Sequence, residues 1–75
     1  MQKTINVGAE IERINRDIDE MESAGMQQIT LSFFSGNSNE RTFLLAAMAV
    51  VSARGYTYEL DYEDGEILLT VRKVA

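Results

Sequence analysis

Glu59, Asp61 and Glu63 alternate with Tyr58, Leu60 and Tyr62, and Asp64 and Glu66 follow at once. In a β-strand, residues two apart share a face, so this spacing sets three carboxylates in a row. Such a row has two chemical uses: it can ligate a hard cation, or it can present an acidic surface to another macromolecule. Calcium takes six to eight oxygens converging from a curved loop. Carboxylates on a flat ribbon do not converge, and Asp61, Glu63, Asp64 and Gly65 do not follow the calcium-loop pattern. The bland reading is a solvated face; the functional reading is a charged protein interface.

Other residues capable of chemistry are few. Ser35 to Asn39 precede a helix, where backbone N–H groups attract anions. The stretch lacks a P-loop lysine, and Glu40 repels an anion, so helix capping accounts for it. Tyr56, Tyr58 and Tyr62 could stack on bases, but alternation puts them on the face of Leu60, which favours packing in a core. The chain has no histidine and no cysteine. It therefore lacks a thiolate, the usual zinc ligands and the commonest general base. We assign no catalytic, cofactor-binding or metal-ligating residue and expect no cofactor. Phe34 and Leu68 are the large apolar residues expected on the polar side of their strands. With Glu59, Asp61 and Glu63 they form the candidate partner-binding set.

The element that organises the rest runs from Asn37 to Gly55. It contains nine consecutive apolar residues, Phe43 to Val51. Asn37 and Glu40 have the spacing of a capping box, Arg54 suits the negative end of a helix dipole, and Gly55 suits a left-handed terminus. The spacing predicts a core helix over about 38–54, apolar nearly all round and buried on more than one side. Nine residues are too few for a bilayer, which needs about 20.

Val7, Ile11, Ile14, Ile18 and Met21 form one stripe with charged residues between them, predicting an amphipathic helix over about 8–24 that Gly25 ends. Glu12–Arg16 and Arg13–Asp17 are spaced as i,i+4 pairs. Such a narrow stripe can lie on a sheet or zip to a second copy. Residues 27–35 alternate as a half-buried strand, with Ile29, Leu31 and Phe33 on one side. Residues 3–7 read as a short strand or as a lead-in to the first helix.

Residues 56–63 and 66–74 flank Asp64-Gly65, a preferred two-residue hairpin turn. That turn pairs Glu63 with Glu66, Tyr62 with Ile67, and so on to Tyr56 with Lys73. One face becomes Tyr58, Leu60, Tyr62, Ile67, Leu69 and Val71, which is apolar and must point inward; the carboxylates then point outward. The expected architecture is a single α+β domain over 1–75, a small two-layer sandwich in (β)αβαββ order. Two helices pack on one face of a 3–4 stranded sheet ending in the hairpin. If the strands joined by the core helix are parallel, the crossover is right-handed.

Forty-five per cent of the residues are hydrophobic, which suits a folded domain. The net charge is −5, with −3 in residues 1–27, +1 in 28–55 and −3 in 56–75. That balance argues against direct nucleic-acid binding, which needs basic surface. It favours a protein partner with a basic surface. The first residues lack a signal-peptide core, no apolar run reaches membrane-spanning length, and a cytoplasmic location is expected.

In element order, with the Asp64-Gly65 hairpin last, the chain resembles the SirA/TusA-like sulfur-carrier fold. That resemblance implies βαβαββ topology, with residues 3–7 as the first strand. The family's Cys-Pro-x-Pro motif falls where this chain reads Val7, Gly8, Ala9, Glu10, and the chain has neither cysteine nor proline. Sulfur transfer does not carry over. In size, acidity and lack of catalytic groups the chain also resembles small accessory proteins of phages and mobile elements. That likeness implies an inhibitor that occludes a host nucleic-acid-binding or defence protein. Two readings follow: a non-enzymatic protein-binding module using the acidic face, helix 8–24, or both; or a structural or regulatory homodimer joined by that helix or by a sheet edge. A small-ligand or enzymatic role ranks third.

Overall fold

The computed structural model describes residues 4–74. Helix α1 spans Val7–Ser23, β1 Gln28–Phe34, α2 Glu40–Ala53, β2 Thr57–Glu63 and β3 Glu66–Arg72. The sheet has strand order β1-β3-β2, with β3 antiparallel to both neighbours. β1 and β2 therefore run parallel, with the last strand inserted between them. All seven hairpin pairs from Thr57↔Arg72 to Glu63↔Glu66 hold the register that the Asp64-Gly65 turn dictates. Asp64 and Gly65 both have positive φ (48° and 77°), as a type I′ turn requires. The eighth expected pair, Tyr56 with Lys73, lies just beyond the strands; Lys73 N–H faces β1 and bonds Gln27 O (3.0 Å).

One core joins both layers. Ile14, Ile18 and Met21 of α1 and Phe43, Ala47 and Val51 of α2 meet Leu31, Phe33, Ile67, Leu69 and Val71 of the sheet. The Phe33 and Phe43 rings pack tilted, 4.8 Å between centroids. Val7 and Ile11 complete the α1 stripe at the margin of the core. The stripe's Ile14, Ile18 and Met21 thus face the sheet and α2, the first of the two placements that its spacing allows.

Both helices end the same way. Gly25 N–H bonds Glu22 O and Met26 N–H bonds Met21 O; Gly55 N–H bonds Ser52 O and Tyr56 N–H bonds Val51 O. With φ of 70° and 85° at the two glycines, these are Schellman termini. Arg54 does more than cap α2. Its guanidinium donates to Asn15 O and Oδ1 (3.2 and 3.1 Å), Asp19 Oδ1 (2.6 Å) and Glu22 Oε1 (3.3 Å), clasping α2 to α1. The clasp is partly solvated, so Arg54→Ala should cost about 1 kcal/mol, shrinking in high salt. Urea unfolding at two ionic strengths checks this; a salt-independent loss would show that packing, not charge, carries the clasp.

Several expectations require correction. The described part of 3–7 holds no strand: residues 4–6 are irregular, Val7 starts α1, and Lys3 lies outside the described residues. Ile5 is instead pinned to α2. The Asn39 carboxamide accepts from Ile5 N–H (3.0 Å) and donates to Ile5 O, which satisfies the Ile5 backbone without a neighbouring strand. The sheet thus has three strands among the described residues, and the first strand of the sulfur-carrier topology is missing there. Helix α2 starts at Glu40, and Asn39, not Asn37, is its N-cap. Asn37 is buried in the preceding turn, donating to Phe34 O (2.8 Å) and accepting from Asn39 N–H (3.2 Å), while Glu40 reaches back to Gly36 N–H (2.7 Å). Arg13 meets Asp17 at 3.9 Å as its spacing implied, and also Glu10 at 3.4 Å.

Burial is less complete than uniform apolarity implied. Of α2's apolar run only Phe43, Ala47 and Val51 are buried, and Leu45 is 56% exposed. On β2, Tyr58 and Tyr62 share the inner face but remain 38% and 60% exposed. β2 is an outer strand, so its inner face projects past the cover that closes over β3.

Candidate protein-binding surface

Sheet register builds the solvent face row by row. In an antiparallel pair, directly opposed residues sit about 4.5–5.5 Å apart and share a face. Nearest the hairpin turn is the row Phe34–Glu66–Glu63, followed by Ser32–Leu68–Asp61, then Thr30–Thr70–Glu59, then Gln28–Arg72–Thr57. Phe34 and Leu68 are thus diagonal neighbours across β1 and β3. Phe34 is 58% exposed and Leu68 half-buried.

Four of the five expected residues, Phe34, Leu68, Asp61 and Glu63, gather in the two rows at the hairpin end. The fifth is set apart. Glu59 Oε2 lies 3.0 Å from Arg72 Nη1, and Arg72 Nε also donates to Gln28 Oε1 (2.8 Å). Arg72 thereby spans all three strands and neutralises Glu59. Beside it, the Thr30 and Thr70 hydroxyls bond each other at 3.0 Å. No cation among the described residues pairs with Asp61, Glu63 or Glu66. Glu66 is the member that alternation alone left at the turn; its place opposite Phe34 needs the β1–β3 pairing. The result is a small apolar pair bordered by three carboxylates that no cation among the described residues neutralises.

The two flanks of the sheet differ. Lys73 N–H bonds Gln27 O and Ser35 N–H bonds Gly65 O (2.9 Å), which fixes the phase of the β1–β3 ladder. Odd-numbered β1 residues bond β3, and even-numbered ones direct their main-chain groups outward. On that outer edge Arg13 of α1 donates to Ser32 O (3.2 Å), its guanidinium 4.8 Å from the Phe33 ring centroid. The same alternation makes Thr57, Glu59, Asp61 and Glu63 the β2 residues that bond β3. The N–H and C=O groups of Tyr58, Leu60 and Tyr62 point away from the sheet, and no described residue hydrogen-bonds them.

An open cleft of about 390 Å³ lies along α1 and β1, lined by Asp17, Glu20, Met21, Met26, Ile29 and Leu31 among others. A cleft of about 110 Å³ lies between α1 and β1, lined by Ile5, Glu10, Arg13, Phe33, Phe34 and Glu66. Among the described residues no three carboxylates converge to hold a metal ion, and no helix is long and apolar enough to cross a membrane. Comparison with protein-family models, curated proteins and solved structures returns no match.

Proposed function

We propose that this chain is a small, non-enzymatic protein-binding module whose solvent-facing sheet surface docks on a basic protein surface. The observation that carries the reading is the hairpin-end patch: Phe34 and Leu68, diagonal neighbours, are bordered by Asp61, Glu63 and Glu66, which pair with no cation among the described residues. Aromatic anchors set among desolvating neighbours supply most of the energy of protein interfaces, and surrounding charges set specificity and association rate. A surface of this sign also competes with nucleic acid for a basic groove. That is the mode of action expected of a phage or mobile-element inhibitor of a host nucleic-acid-binding or defence protein.

The test is affinity capture at low salt with the wild-type chain, beside Asp61→Lys/Glu63→Lys and Phe34→Ala. A partner held by this surface is recovered with wild type, lost on charge reversal and weakened about tenfold by Phe34→Ala, near the lower range of interface anchors. Both substitutions are at exposed positions, so the unfolding midpoint serves as the control for folding. Recovery that is indifferent to both variants would place binding elsewhere on the molecule.

A further inference from the structure

We infer that β2 is a docking edge for an extended partner segment in which apolar and basic residues alternate, added antiparallel as a fourth strand. The inference rests on the protein-binding reading and specifies the partner's chemistry. Three observations converge on β2. Its outward N–H and C=O groups, at Tyr58, Leu60 and Tyr62, form a ladder left unfinished, whereas Arg13 closes a carbonyl on the opposite edge. The side chains of the same three residues stand on the inner face and are incompletely covered. Between them, Glu59, Asp61 and Glu63 line the outer face.

The helix layer extends this apolar margin. Asn39 and Arg54 of α2 reach toward the α1 side. At about 3.6 residues per turn, Leu44 and Met48 then fall on the flank away from α1, the flank over β2. Both are half-buried. An added strand would lay every second side chain along Tyr58, Leu60 and Tyr62 beneath that flank, and the intervening ones beside the carboxylates. Strand addition takes affinity from main-chain bonds and specificity from alternate side chains. Here the inner positions select apolar residues and the outer positions select lysine or arginine.

Charge disfavours another ready occupant, the β2 edge of a second copy. Antiparallel β2–β2 pairing centred on Leu60 sets Glu59 opposite Asp61; centred on Asp61, it sets Asp61 opposite itself and Glu59 opposite Glu63. Like charges directly opposed destabilise a sheet pair, and charged edges are a common guard against self-association. The carboxylates thus disfavour a second β2 and admit a basic strand.

The probe is a capped seven-residue peptide of alternating lysine and valine, titrated into the isotopically labelled chain at low salt. In antiparallel addition the valine N–H groups face β2 and the lysine N–H groups face away. The expected result is saturable binding, with amide exchange at Tyr58, Leu60 and Tyr62 slowed about tenfold or more. Peptide N-methylated at valine should bind at least about tenfold more weakly, and peptide N-methylated at lysine about as well as the parent. Several outcomes would overturn the inference: no binding; binding insensitive to N-methylation with shifts confined to Phe34, Leu68, Asp61 and Glu63; or edge protection that rises with protein concentration in the absence of peptide. The second of these leaves the solvent-face reading standing. Weakened capture on Phe34→Ala, which lies on β1 away from the β2 edge, tests that reading separately.

Discussion

Phe43→Ala should lower the unfolding midpoint by roughly 12–40 °C. The residue is fully buried in the first turn of α2, its ring against Phe33. Removing a buried phenylalanine costs about 3–5 kcal/mol, because a cavity remains where the ring was. A domain of this length holds only about 4–11 kcal/mol in total, and each kcal/mol moves the midpoint by about 4–8 °C at this size. Leu45→Ala, two residues on, is the internal control. Leu45 is equally apolar but exposed, so its loss should stay within about 0.5 kcal/mol. Thermal melts of the two variants followed by circular dichroism decide the matter. Comparable losses would mean that α2 packs against more than the structure places around it.

Asn39→Ala should cost about 1–3 kcal/mol, unusually much for a polar residue at a helix start. Its carboxamide makes no capping bond of its own; both of its polar atoms are given to the Ile5 backbone. Alanine leaves that N–H and C=O unpaired beside the core and frees the buried Ile5 side chain to leave. Asn39→Asp keeps an acceptor for the N–H but turns a second acceptor toward the carbonyl, so it should rescue only part of the loss. A double-mutant cycle with Ile5→Ala isolates the mechanism. If Asn39 acts by seating Ile5, the double variant loses less than the sum of the singles. Additive losses would assign Asn39 a role in α2 alone.

Local signals carried the hairpin and the helices. Two alternations and a two-residue turn agreed on one register, and a one-residue slip would have put Asp61 and Glu63 in the core. The α1 stripe was equally legible, since only one face of that helix is apolar. What escaped the sequence depends on distant partners. Asn39 reads as one more polar residue in a loop, and Ile5 lies 34 residues away. Alternation gave the face of Tyr58 and Tyr62 but not their cover, because nothing in their neighbourhood says that β2 lies at the edge. The apolar run of α2 masked its orientation, since an all-apolar helix has no polar face to mark the wet side. For the candidate surface, parity placed Phe34 and Leu68 on the solvent side. Bringing them together, and adding Glu66, required the pairing of β1 with β3. Parity sets Arg72 on the face of Glu59, but its neutralisation of Glu59 follows from a diagonal contact that periodicity does not encode.

The order β1-β3-β2 also governs how the molecule is born. Its middle strand is its last, so on the ribosome neither outer strand has a neighbour until Glu66–Arg72 has been translated. Chains emerge at about 5–20 residues per second. During that interval Phe43 to Val51 is already made while half of its eventual floor does not exist. Nascent chains stopped before Glu66 should therefore be protease-sensitive throughout, and protection should arrive in one step as the closing segment clears the exit.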